Sequence, residues 1–268
     1  MSDLAFLTPE EKAVNDEFLA RGYAARPVGD RAALDRIRDR VAALAAEHLG
    51  LPAPADPGDF LNRIHERVDP AALNALRLHV IRGVNAEPWL RPAYFRLARA
   101  TLETVAGNEL CMQRRVNLSV QLPGDDSSLL PVHADAWSGD SPFEVVVWLP
   151  LVDVFGTKTM YLAPPAADRP VQARMAQLSS AEAVFREIEP HVQWIALKYG
   201  EVLVFNQNLM HGNVVNREPE TRWTMNCRFK SVLSPFADKK LGEFFEPITL
   251  RAATRFAMDY TLPGGFDE

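Results

Sequence analysis

The chain has 268 residues, of which 47% are hydrophobic and 24% charged, with a formal net charge of −6. That apolar content suffices for a buried core, and one large domain of this length is common among barrel-like folds. The acidic balance and the lack of any lysine/arginine block argue against nucleic acid as a partner, and apolar runs such as Val145 to Val152 are far too short to cross a bilayer.

The first residues, Met1 to Pro9, show neither the basic start nor the apolar core of a secretory leader. Residues 8 to 106 read as helices. Thr8-Pro9-Glu10-Glu11 is a helix start: a hydroxyl cap, proline in the first turn and acids at the positive end of the dipole. Asp30 caps a second stretch to His48, with Ala33, Leu34, Ile37, Val41, Leu44 and Ala45 at helical spacing and Gly50 as its stop. Further helices are expected near 58–67, 70–83 and 89–106, with Leu51 to Gly58 as a connecting loop. From Cys111 the period changes to two, Met112, Arg114, Val116, Leu118, Val120 and Leu122 alternating with Gln113, Arg115, Asn117, Ser119 and Gln121. More strands are expected near 143–149, 159–163, 193–198, 201–206 and 222–232, and two short helices between Asp238 and Tyr260.

Helices followed by many short strands give a mainly β, α+β expectation: a double-stranded β-helix (the cupin-like jelly roll) braced by helices. Residues 1–268 are read as a single domain, with helical support over about 1–108, a catalytic core over 109–233 and a helical tail over 234–268. Cys111 and Cys227 both fall on strand-like segments and read as buried thiols, so a reducing, cytoplasmic setting is expected. No sequence feature assigns an oligomeric state.

Chemistry concentrates at three points. Asp135 follows His133 by two residues, a spacing that on extended backbone turns both side chains to one face. His211 ends a turn glycine, an apolar strand and a polar loop, Gly200 to Met210. Two imidazoles and one carboxylate on one side of a metal, with the other positions open, is the ligand set of non-haem Fe(II) oxygenases. Arg222 then opens a strand whose polar set (Arg222, Thr224, Asn226, Arg228) alternates with an apolar set (Trp223, Met225, Cys227, Phe229). A solvated strand face would show the same alternation. His48, His65, His79 and His191 have no acid at metal spacing and read as surface or structural.

The runs Pro131-Val132-His133-Ala134-Asp135, Trp148 to Val154 and His211-Gly-Asn-Val-Val-Asn216 through Arg222 resemble the Fe(II)/2-oxoglutarate dioxygenases, in particular the phytanoyl-CoA-hydroxylase-like branch. More narrowly, Arg114 to Asp126 and Asn226 to Ser231 are similar to oxygenases associated with streptomycin biosynthesis and bacterial carbohydrate gene clusters. The resemblance spans roughly residues 111 to 233. It implies a metal site of His133, Asp135 and His211 for Fe(II), with 2-oxoglutarate and O₂ as co-substrates and succinate and CO₂ as products. Arg222 would grip the distal carboxylate of the co-substrate through its planar fork, and Thr224 would help. Trp148 resembles the tryptophan that walls the co-substrate pocket, although it would serve equally as a core aromatic. Asn117 and Gln121 lie on the polar face of the strand before the metal motif, where relatives carry an amide or lysine near the place of Gln121 that contacts the co-substrate; a merely exposed face is the alternative. Many relatives carry a serine at the position of Asn213, whose amide can still donate. Trp137 and Asp140 in the following loop, with Asn226 and Arg228 on the strand, are candidates to meet a small-molecule substrate, Arg228 through an anionic group.

Asp135 is retained where halogenating relatives carry a small residue, so hydroxylation, desaturation or epimerisation is expected. The implied substrate is a sugar, aminocyclitol or nucleotide-linked sugar. The alternatives are a cupin-type metal-dependent dioxygenase or isomerase that does not use 2-oxoglutarate, and a non-enzymatic binding barrel. Arg222 distinguishes the first of these, which has no need of it.

Overall fold

The computed structural model describes residues 6–264. Helix α1 (Pro9–Arg21) starts at Thr8, whose hydroxyl accepts from the Glu11 N–H while the Glu11 carboxylate accepts from the Thr8 N–H. This reciprocal pair satisfies two donors that the first turn would leave free. The helix closes at Gly22 with φ 82°, and a Cβ there would lie 2.0 Å from Leu209 Cδ1. Both the left-handed turn and the close approach therefore demand glycine.

The helical reading of residues 8 to 106 fails at one place. Tyr23–Pro27 forms β1, paired antiparallel along its length with a later strand. Four helices follow: α2 (Arg31–His48), α3 (Pro57–Asn62), α4 (Pro70–Asn85) and α5 (Leu90–Val105). Asp30, Asp56 and Asp69 cap the first three of these by accepting from backbone N–H groups.

The strand region opens with β2 (Leu110–Gln113) and β3 (Asn117–Gln121), interrupted where the sequence alternation runs on unbroken. Asn85 causes the break. Its amide accepts from the Val116 N–H and donates to the Val116 carbonyl, both at 2.9 Å, in place of a neighbouring strand. Then come β4 (Val145–Pro150), β5 (Tyr161–Leu162), β6 (Gln193–Trp194), β7 (Glu201–Asn206), β8 (His211–Gly212) and β9 (Arg222–Ser231). Two helices that periodicity did not announce, α6 (Pro165–Gln172) and α7 (Ala181–Ile188), lie between β5 and β6. The expected pair of tail helices is instead a strand, β10 (Phe245–Pro247), and one helix, α8 (Ala252–Met258). Phe245 is completely buried against β2, which explains why this stretch extends.

Among the described residues the strands form two antiparallel sheets, a jelly roll. The larger has the order β1-β7-β4-β9-β2-β10, with β3 also on β9, and the smaller is β6-β5-β8. Alternation assigns the faces. On β9, Trp223, Met225, Cys227 and Phe229 join Val145, Val147 and Leu149 of β4 and Val202 and Val204 of β7 in the main core, together with apolar residues of α2, α4 and α5. The intervening residues Val146, Trp148, Leu203 and Phe205 belong to a second cluster that includes Leu162 of the smaller sheet and Met160 just ahead of β5. The helices thus cover the outer face of the large sheet, and its inner face meets the small one. Each large apolar side chain in this core contributes roughly 1.5–3 kcal/mol through burial. Trp223 adds a directional tie, its indole donating to the Leu61 carbonyl of α3 at 2.9 Å.

Candidate active site

The inner face that carries apolar residues on β4 and β7 becomes polar on β3 and β9. There Asn117 and Ser119 stand beside Arg222, Thr224, Asn226 and Arg228 around a cavity of about 290 Å³. The polar set of β9 is therefore not a solvated face; all four members line this cavity.

At one end, His133 and His211 sit opposite each other, exchanging both backbone hydrogen bonds (3.0 and 2.8 Å), with ring centroids 4.3 Å apart. Ala134 is extended, so Asp135 points with His133 before the chain turns into a short 3₁₀ segment at Asp135–Ser138. The strand thus ends at Asp135, yet the two-residue logic holds. The Nδ1 of His133 donates to the Pro131 carbonyl and that of His211 to the Leu209 carbonyl, each at 2.8 Å. Both Nε2 atoms are left as lone-pair donors to a metal. Burial, reinforced by the neighbouring His133, pulls His211 down to about 4, so its imidazole is neutral at physiological pH. Asp135 Oδ1 lies 3.6 Å from His133 Nε2 and 3.9 Å from His211 Nε2. Donors about 2–2.2 Å from a metal and at right angles stand about 3 Å apart, so a small contraction brings the three onto one ion. Among the described residues this is the one cluster of three such side chains, its donor atoms all within 4.8 Å.

Arg222 is almost fully buried. One Nη donates to the Thr159 carbonyl at 2.9 Å and the other to Ser119 Oγ at 3.3 Å, while Nε has no partner. Among the described residues no carboxylate pairs with it, and burial pulls its pKa down to about 10.

Other expected site residues fall in different places. Thr224, Trp148 and Asn213 line the cavity, but both ends of the Asn213 amide are engaged: Oδ1 accepts from the Leu130 N–H at 2.6 Å and Nδ2 donates to the Ser128 carbonyl. Asn117 donates to Asn226 at 3.0 Å across the two strands. Gln121 is buried beyond the cavity and donates to the Val214 carbonyl. Trp137 is exposed and donates to Gln172. Asp140 is buried against Arg228 and Lys239, away from the cavity. Sequence reasoning passed over Ser119, whose place between Asn117 and Gln121 in the alternation was the available signal. It also passed over Gln207 and Glu144, which no local pattern marks. His65 bonds Thr221, and His48 stacks near His79, both outside the cavity.

No family profile matches the chain, and no curated relative matches its sequence. Its structure is similar to the non-haem α-ketoglutarate-dependent carbocyclase SnoK from nogalamycin biosynthesis, with a TM-score of 0.57 and 16% identity over 91% of this chain and 97% of that one. It is also similar to EctD from S. alaskensis (TM-score 0.55, 15% identity, 88% and 81% covered). A third likeness is to HygX from Streptomyces hygroscopicus with nickel and 2-oxoglutarate bound (TM-score 0.51, 13% identity, 88% and 90% covered). Identities this low speak for a shared fold, and the chemistry has to be argued from the side chains. No helix among the described residues is long and apolar enough to cross a membrane.

Proposed function

We propose that the chain is a non-haem Fe(II)- and 2-oxoglutarate-dependent oxygenase of the phytanoyl-CoA-hydroxylase-like branch. It would hydroxylate a small molecule such as a sugar, aminocyclitol or nucleotide-linked sugar and release succinate and CO₂. The observation that carries this reading is Arg222, a buried guanidinium with a free Nε and no anionic partner among the described residues, in the same cavity as two imidazoles and a carboxylate. A buried charge left unpaired costs several kcal/mol. Its retention is accounted for when an anion arrives to meet it. A 2-oxo dicarboxylate has one end for a metal and one for an arginine.

His133 Nε2, His211 Nε2 and Asp135 would hold the metal. With 2-oxoglutarate bound, such a metal would supply O₂-driven oxidation of an unactivated C–H bond. Arg222 would take the distal carboxylate through charge-assisted bonds, its orientation fixed by Thr159 and Ser119. Thr224 adds a hydroxyl to the same face. Val146, Met160 and Phe205 keep the wall apolar, which strengthens those electrostatic contacts by excluding water. The substrate class rests on the resemblance of Arg114 to Asp126 and Asn226 to Ser231 to carbohydrate-cluster oxygenases, with SnoK, itself from nogalamycin biosynthesis, as a structural neighbour.

Anaerobic titration of Fe(II) and 2-oxoglutarate tests the reading through the weak visible charge-transfer band of the chelate. His133→Ala should abolish the band, and Arg222→Ala should raise the 2-oxoglutarate needed by about 100-fold, the scale of an orphaned buried charge contact. A wild-type protein that binds metal but gives no band would move the assignment to a cupin-type reaction.

A further inference from the structure

Asp135 divides its two oxygens between different partners. Oδ1 faces both histidine Nε2 atoms, whereas Oδ2 lies 2.8 Å from Arg228 Nη2. Arg228 is itself anchored. Its Nε donates to Gln207 Oε1 at 3.1 Å and lies 3.3 Å from Asp140 Oδ1, and Asp140 is held in turn by Lys239. The Gln207 carbonyl also accepts from the Asp135 N–H at 3.0 Å, so one residue fixes both the carboxylate's backbone and the guanidinium beside it. Arg228 thus has carboxylates on two sides, which corrects the expectation that its charge is free for an anionic substrate group.

A carboxylate with both oxygens free can chelate a metal through the pair, whereas one tied down by a charge-assisted bond offers a single oxygen. We propose that Arg228 is a positioning residue that reserves Oδ2 of Asp135, so that the carboxylate gives the metal Oδ1 alone and a coordination position stays open for co-substrate or O₂. Hydrogen-bonded partners behind metal ligands commonly set ligand orientation in this way. The inference rests on the reading of His133, Asp135 and His211 as a metal centre, and its test separates the two.

The probe is Mn(II), whose bound waters are counted by water-proton relaxation of the saturated protein. Uptake that His133→Ala abolishes establishes the centre; a wild type that takes up no Mn(II) at this site overturns the reading and the inference together. With the centre present, three exchangeable waters in the wild type are expected, and two would mean that Asp135 already chelates through both oxygens and would overturn the inference alone. Arg228→Gln should lower the relaxivity by about one third as Oδ2 displaces a water from one of the three open positions. Arg228→Lys keeps a cation beside Oδ2, though without the fork, and should recover most of that loss. Folded variants that saturate with Mn(II) and keep the wild-type relaxivity would sink the assignment, and a wild-type count of two would overturn it without relying on either variant.

Discussion

Arg222 illustrates how much one side chain can say when its partners are counted. Guanidinium groups have five N–H donors, and in this protein the structure gives two of the three nitrogens a protein acceptor. The side chain lines the cavity, its unpartnered Nε is buried, and among the described residues no carboxylate pairs with it, which makes selectivity the sharpest property to measure. 2-Oxoglutarate and 2-oxopentanoate share the metal-binding end and differ in the distal carboxylate. The wild type should prefer the first by about 100-fold or more, because only it neutralises the buried cation. Arg222→Met should bring the two within a few-fold of each other. Competition binding to the metal-loaded protein reads the ratio directly, and a ratio removes general damage common to both ligands. Preserved discrimination in the methionine variant would mean that another group reads the distal carboxylate.

At the level of elements, local rules held wherever the local signal also stated the tertiary role. The caps at Thr8 and Asp30 and the alternation on β9 are such cases, because capping chemistry and a two-sided strand carry their own partners. β1 was not legible. Tyr-Ala-Ala-Arg-Pro is short, alanine-rich and free of alternation, and it extends only because β7 offers a complete antiparallel register. The gap between β2 and β3 was equally invisible, since it is imposed by a side chain from another helix. Asn85 satisfies the N–H and carbonyl of Val116 at once, so Asn85→Ala should orphan two partly buried backbone groups. A loss of about 2–4 kcal/mol is expected, the sum of two unsatisfied groups at 1–3 kcal/mol each after partial rescue by water. Equilibrium denaturation checks it; a change below about 0.5 kcal/mol, typical of an ordinary surface substitution, would show that water replaces the amide without difficulty.

Across the whole molecule, the triad residues and Arg222 stood out in the sequence through the His133/Asp135 spacing, the strand and loop ahead of His211, the alternation from Arg222 and the family resemblance, and all four line one cavity. The support beneath them could not, because it joins side chains from distant segments: Arg228 of β9, Asp140 after the 3₁₀ turn, Gln207 at the end of β7 and Lys239 from the C-terminal stretch. Glu144 closes this network from below. Its Oε1 accepts from the Ser141 N–H at 2.9 Å and Oε2 from Gln207 at 3.1 Å. Burial, with Asp140 nearby, pushes its pKa from 4.5 up to about 7, while Ser141 and Gln207 pull the other way. Lys230 and Cys111 also lie within its electrostatic reach. The folded state therefore holds more protons at Glu144 than the unfolded chain does between about pH 4.5 and 7. The stability it contributes is complete below 4.5 and is lost as pH rises through 7. At about 1.4 kcal/mol per pKa unit, the wild type should lose on the order of 2 kcal/mol relative to Glu144→Gln between pH 5 and pH 8. Any constant cost of the substitution, such as an amide facing the Gln207 NH₂, shifts both ends of the comparison alike and leaves the slope intact. Denaturant midpoints of the two proteins at the two pH values give that slope. Parallel profiles would place the Glu144 titration outside this range and leave its carboxylate ionised within the network.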